Sequence, residues 1–159
     1  MIVEGTHPPY LFFYCLAEMG LGKTIQTICF LRELQTNPST EVRGPTLIVA
    51  PLSLIGQWKS EAALWAPDFN VVLYHGSADA REWLVNHEFY FSEEHVGKGT
   101  ANHLRRNHVT KFHILITTFE VILKDIHVVS KIKWKTLIVD EAHRYVRSCL
   151  VCHSLYLDR

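Results

Sequence analysis

Lys23 and Thr24 stand directly after Gly20-Leu21-Gly22 and open an amphipathic stretch that runs to Leu34. Upstream lies an apolar run, Tyr10 to Leu16, joined to the glycines by Ala17-Glu18-Met19. The order is strand, glycine-bearing loop, helix. Such a loop lets main-chain N–H groups and a helix N-terminus surround a phosphate chain. In that geometry Gly20, Leu21 and Gly22 supply the cradle, Lys23 reaches the β- and γ-phosphates, and the Thr24 hydroxyl ligates Mg²⁺. The strict form of the pattern has Gly at its first position, where this chain has Ala17. The competing reading is an ordinary glycine-containing turn that caps a helix.

A second reactive group closes an apolar segment 117 residues beyond Lys23: Asp140-Glu141-Ala142-His143. An acid at the end of a buried strand, beside a phosphate-binding loop, is placed to hold Mg²⁺, usually through water. Glu141 beside it can orient and deprotonate an attacking water. Phosphoryl transfer needs positioning and charge neutralisation above all. Lys23, Asp140 and Glu141 are therefore the expected catalytic set, acting on a bound nucleotide with Mg²⁺. Taken alone, the acidic pair reads equally well as a solvated turn. Two motifs in the right order, both at strand ends, outweigh that reading.

The elements that must position these groups are legible in turn. Met1 to Pro9 is irregular, because Pro8-Pro9 forbids regular structure. Tyr10–Leu16 and Thr46–Ala50 are continuous apolar runs, as strands buried on both faces should be. Val71–Tyr74, Phe112–Ile116 and Thr136–Asp140 add three more strands. Helices are expected over Thr24–Leu34, with Ile25, Ile28, Cys29, Leu31 and Leu34 inward, and from a Ser53 cap to Trp65, with Leu54, Trp58, Ala62 and Trp65 inward. Two further helices are expected over Ala78–Phe91 and Thr118–Val129. Residues 92–110 are polar, with Gly97, Gly99 and Arg105-Arg106, and read as a surface insertion. Alternating strand and helix predicts an α/β fold, a parallel sheet between helices, with its ligand at the carboxyl ends of the strands.

Composition sets the outer limits. A chain of 159 residues makes one domain with a real core. With 48% hydrophobic and 20% charged residues it is globular rather than disordered. Sixteen Lys and Arg balance sixteen Asp and Glu, so no broad basic surface is implied, and any DNA contact must be local. Cys15 and Cys29 fall in apolar segments and are expected as small buried hydrophobes, without a disulfide framework. The run at 10–16 is too short to span a membrane.

The motifs carry a resemblance. The form Ala-x-x-Gly-x-Gly-Lys-Thr is the one superfamily 2 helicases use. Residues 17–28, Ala-Glu-Met-Gly-Leu-Gly-Lys-Thr-Ile-Gln-Thr-Ile, resemble motif I of the Swi/Snf-type helicase-related ATPases. Leu-Ile-Val-Ala-Pro-Leu-Ser-Leu-Ile-Gly-Gln-Trp (47–58) resembles motif Ia, Thr-Thr-Phe-Glu (117–120) motif Ib, and Asp-Glu-Ala-His-Arg (140–144) motif II, a DEAH box. Trp-Ala-Pro-Asp (65–68), Asn-His-Glu-Phe-Tyr-Phe (86–91), the polar insertion and residues 111–118 are similar to chromodomain-helicase-DNA-binding (CHD) remodellers, nearest the subgroup associated with histone deacetylase complexes.

The resemblance implies a P-loop, RecA-like first lobe over 10–144 and a nuclear, ATP-driven motor that translocates on DNA and repositions nucleosomes. By position, Lys23 and Thr24 contact phosphate and Mg²⁺, and Asp140 and Glu141 serve as Mg²⁺ partner and water activator. His143 would couple the nucleotide site to the DNA-facing motifs. Pro51, Ser53, Thr117 and Thr118 match positions near the DNA backbone, where contacts carry no sequence preference.

The chain departs from the pattern in two places. Ala17 occupies an acidic position, and Met1 to Tyr10 lacks the family's adenine-contacting Gln segment, which leaves base recognition unassigned. After Arg144 the family's Leu-Lys-Asn and second lobe do not follow; residues 145–159 form a divergent tail. The expectation is a truncated lobe that binds nucleotide without turnover on its own, the alternative being a non-catalytic product that regulates the full-length motor. Cys149-Leu-Val-Cys152-His153 in the tail matches a haem-attachment pattern. Haem requires export and a pocket, and zinc requires a fourth ligand; incidental thiols are the expected reading.

Overall fold

A computed structural model of the chain describes residues 11–14, 22–40, 43–91, 100 and 109–141. Cys15, the loop at 15–21 with Gly20 and Leu21, most of the 92–110 insertion, His143 and the tail with Cys149, Cys152 and His153 lie outside the described residues.

Four-residue runs, apolar but for one terminal threonine in three of them, make the strands β1 (Leu11–Tyr14), β2 (Thr46–Val49), β4 (Ile114–Thr117) and β5 (Thr136–Val139), with the shorter β3 at Val71–Leu73. All pairings are parallel, in the order β1-β5-β2-β4-β3. Every residue of β2, β4 and β5 is buried, as a sheet covered on both faces demands. The two-residue period then sorts the side chains into two cores. Ile48, Ile114, Ile116 and Ile138 enter one; Leu47, Val49, Leu115, Leu137 and Val139 enter the other.

The first core is closed by α1 (Lys23–Thr36) and α2 (Ile55–Trp65). Ile28 and Leu31 of α1 meet Ile55, Trp58 and Ala62 of α2 in that cluster. Each such fully buried aliphatic side chain stabilises the fold by roughly 1.5–3 kcal/mol. α1 stops at Asn37, which turns extended (φ −70°, ψ 121°) because the following Pro38 disfavours helical geometry before it. The opposite core is richer in rings. Phe89 packs against Phe112 at 5.2 Å and Tyr74 at 5.3 Å, and Phe112 lies 6.0 Å from Trp134. The helices α3 (Ala78–Glu88), α4 (Phe119–Lys124) and α5 (Ile126–Val129) belong to this side, contributing Leu84, Val85, Val121, Ile122 and Val129.

Several local expectations are corrected. The segment 118–129 is two short helices, α4 and α5, because Asp125 leaves helical geometry (φ −114°, ψ 30°) between them. α2 starts at Ile55 without a side-chain cap; a turn closed by Leu54 N–H to Pro51 O at 2.8 Å precedes it, so Ser53 is not its cap. Leu54 is only part-buried and Trp65 is 41% exposed, its indole donating to Glu61 instead of entering the core. Cys29 is an exposed free thiol on the outer face of α1, and only Ile28 and Leu31 of that helix are fully buried. Among the described residues no helix is long and apolar enough to cross a membrane.

Candidate nucleotide site

Strand order brings the two distant motifs together. β1 and β5 are neighbours, paired from Leu11↔Thr136 to Tyr14↔Val139, so the chain leaves both at the same edge of the sheet. Lys23 at the start of α1 and Asp140 just past β5 then meet across one cleft. Gly22, Lys23, Thr24, Ile25, Asp140 and Glu141 line it, with Leu54, Gln57 and Glu61 from α2 and the turn before it. Its volume is about 310 Å³.

On the α1 side, Gly22 is the residue before the helix, at φ 69° and ψ 25°. A Cβ there would meet nothing within 4 Å, so the left-handed backbone rather than crowding calls for glycine. Gln26 N–H closes the first helical bond onto Gly22 O at 3.0 Å. The first-turn N–H groups of any α-helix have no acceptor within the helix, which is the general basis of anion binding at such an end.

On the other side, Asp140 is 9% exposed and pinned from three directions. Its N–H donates to Val49 O at 2.8 Å, continuing the β2–β5 ladder by one residue. Its Oδ2 accepts from Trp58 Nε1 at 2.9 Å, and its Oδ1 from the Glu141 N–H at 3.0 Å. Glu141 is in the left-handed region at φ 54°, unusual for a residue with a side chain and costing about 1–2 kcal/mol. Glu141 stands on the wall of the cleft.

These residues fit a nucleotide-borne divalent cation. Mg²⁺ is commonly held by one or two carboxylates together with substrate phosphates rather than by an all-protein cage. Among the described residues no group of three or more His, Cys, Asp or Glu forms such a cage, whereas Thr24 and Asp140 share the cleft.

The four positions matched to DNA contact are placed unequally. Ser53 is exposed, and Pro51, Thr117 and Thr118 are buried. Thr117 Oγ1 donates to Tyr74 O at 2.8 Å, tying β4 to β3. Thr118 caps α4 by accepting from Val121 N–H.

Sequence reasoning missed two groups. Trp58 was expected only as core, although a buried indole N–H usually finds an acceptor. The other is a polar cluster beside the end of β3. Arg81 of α3 binds Asp125 through Nε (2.6 Å) and Nη2 (3.3 Å), and donates from Nη1 to Gly76 O at 2.6 Å. Tyr74 OH donates to the same Asp125 Oδ2 at 2.7 Å. The Arg81 hydrogen bond holds the Asp125 carboxyl below the usual range, against the opposing effect of burial. Burial, and then the bond to Asp125, push the Tyr74 phenol well up. Nothing in the spacing of Tyr74, Arg81 and Asp125 marks them as partners.

Gly22 before a helix, an acid at the end of the neighbouring strand, and a wholly parallel sheet make an α/β lobe with both motifs at one end of the sheet. The model of the SNF2-related domain matches residues 15–150, and the chain belongs to that family. It is 46% identical over 127 residues to the CHD3-type chromatin-remodeling factor CHR7 of Arabidopsis thaliana, covering 80% of this chain and 9% of that protein. It is 45% identical over 128 residues to the Chromodomain-helicase-DNA-binding protein 3 homolog of Caenorhabditis elegans (80% and 7%). Against human Chromodomain-helicase-DNA-binding protein 9 the identity is 42% over 143 residues (88% and 4%). The chain thus spans less than a tenth of the length of these relatives. A solved Sulfolobus solfataricus SWI2/SNF2 ATPase core in complex with dsDNA is a more distant likeness, at 20% identity and a TM-score of 0.48 over 77% of this chain and 25% of that one. Family membership stands without it.

Proposed function

We propose that these residues are the ATP-binding lobe of an ATP-dependent, DNA-translocating chromatin remodeller of the CHD kind. The supporting observation is that Lys23, Thr24, Asp140 and Glu141 line one cleft although 117 residues separate its two sides. Family membership adds the CHD relatives, whose names state chromatin remodelling and DNA binding.

In this reading the α1 N-terminus and Lys23 hold the β- and γ-phosphates of ATP, and Thr24 and Asp140 hold Mg²⁺, directly or through water. Bound there, the ion supplies charge neutralisation at the phosphates. Glu141, set on the cleft wall, takes the proton of the attacking water. Gly20, Leu21 and His143 complete the set by position. Ser53, exposed beside the site, contacts the DNA backbone, while Pro51, Thr117 and Thr118 shape the same edge from within. A nuclear location, nucleosome engagement and association with histone deacetylases belong to the whole remodeller in this proposal.

The test is equilibrium binding of Mg-ATP to the purified chain and to Lys23→Ala. Binding by the parent and its loss in the variant are expected. Equal binding by both would remove the cleft as the nucleotide site.

A further inference from the structure

Trp58 reaches Asp140 from behind the cleft. The indole is 3% exposed and is not among the residues that line the cavity; Gln57 and Glu61 of the same helix are. Its Nε1–H donates to Asp140 Oδ2 at 2.9 Å across 82 positions of sequence. Its ring packs in the cluster that holds Ile28 and Leu31 of α1, the helix that begins with Lys23 and Thr24. An indole N–H donates and cannot accept, so Trp58 has no chemistry to offer a ligand or a water-borne proton. What it can do is fix a carboxylate. With Oδ1 taking the Glu141 N–H and Oδ2 the indole, each oxygen of Asp140 is held by one donor and keeps further lone-pair capacity.

We propose that Trp58 is the positioning residue for Asp140. It locks the rotamer of the carboxylate so that its free lone pairs meet the divalent cation without reordering. Through its packing on α1 it also keeps that carboxylate in register with Thr24, on the opposite wall. Orienting partners of this kind typically change metal affinity by about 10–100-fold when removed. The inference rests on the nucleotide reading above but concerns a residue outside the phosphate-binding motifs.

The test compares the 159-residue chain with Trp58→Phe, which keeps an aromatic ring and deletes the donor. The affinity for a non-hydrolysable ATP analogue is measured with Mg²⁺ and with EDTA. The expected result is a Mg²⁺-dependent gain reduced about tenfold or more in the variant, with the EDTA affinity unchanged. A purely structural role for Trp58 would lower both affinities together. A Mg²⁺ gain that survives Trp58→Phe, or two affinities that fall in parallel, overturns this proposal alone. A parent chain that does not bind the analogue overturns the nucleotide reading and this proposal with it, whereas one that binds it equally with and without Mg²⁺ overturns the Mg²⁺ assignment and this proposal. A second measurement needs no folded Trp58 variant: the indole N–H resonance of Trp58 followed into Asp140→Ala. It should move and lose protection from exchange; an unmoved, still protected signal overturns the hydrogen bond as a functional tie.

Discussion

Asp125, between α4 and α5, and Asp140, just beyond β5, are both carboxylates drawn in from solvent, and their surroundings are opposite. Asp125 receives a guanidinium through two nitrogens and a phenol besides, so its charge is met within the fold. Asp140 receives two neutral donors, an indole and a main-chain N–H, and among the described residues it forms no ion pair. Hydrogen bonds from neutral donors hold a carboxylate in place without cancelling its charge. Asp125 is finished as the chain folds. Asp140 is oriented but not neutralised, the condition suited to a cation that arrives with a ligand.

The contrast can be broken most forcefully at Arg81. Arg81→Met strands Asp125 beside Tyr74 alone and orphans Gly76 O, and stability should fall by about 3 kcal/mol, read from urea unfolding. Nucleotide affinity of the protein that remains folded should hold, because this cluster lies outside the cleft. An equal loss of affinity would merge the two regions that the structure keeps apart.

A smaller effect is expected from acid. Arg81 lowers the Asp125 carboxyl below its ordinary 3.8. The resulting stabilisation is present above that ordinary value and is lost as pH falls through the folded one, since the unfolded chain takes up the proton first. The urea midpoint should therefore drop below about pH 4, with a shallower drop in Arg81→Met. An identical acid limb in the two proteins would assign the loss to other carboxylates.

Asp140→Asn should change stability least, by no more than about 1 kcal/mol, because relief of a desolvated charge offsets the loss of one of two acceptor positions. Its Mg²⁺-dependent nucleotide affinity should nonetheless collapse. A large loss of stability in Asp140→Asn would make this carboxylate structural after all.

How much of this was legible in the sequence follows from what each feature depends on. Buried parallel strands need continuous apolar runs, and all five strands stand where such runs stand. Helix punctuation at Pro38 and Pro67 is a local steric matter and reads directly. The facing of Lys23 and Asp140 was inferable from both lying at strand ends, but the adjacency of β1 and β5 is a property of topology. Asp125 interrupts a segment whose apolar spacing continues to Val129, because the tertiary bonds to Arg81 and Tyr74 outweigh local helix preference. Cys29 and Trp65 show the converse, apolar character without a neighbour to bury it. The Trp58 bond joins two motifs that were each legible separately.

The pairing of β1 with β5 has a consequence in time. Leu11 must wait for Thr136, 125 residues later, before that ladder can form. At a synthesis rate of about 5–20 residues per second, the apolar segment at 11–14 spends roughly 6–25 s without its sheet partner. Lys23 and Thr24 at the start of α1 are likewise translated well before Asp140 and Glu141, which face them across the cleft. On the proposed nucleotide reading, the cleft is complete only once β5 has docked beside β1, so uptake of ATP would report that step.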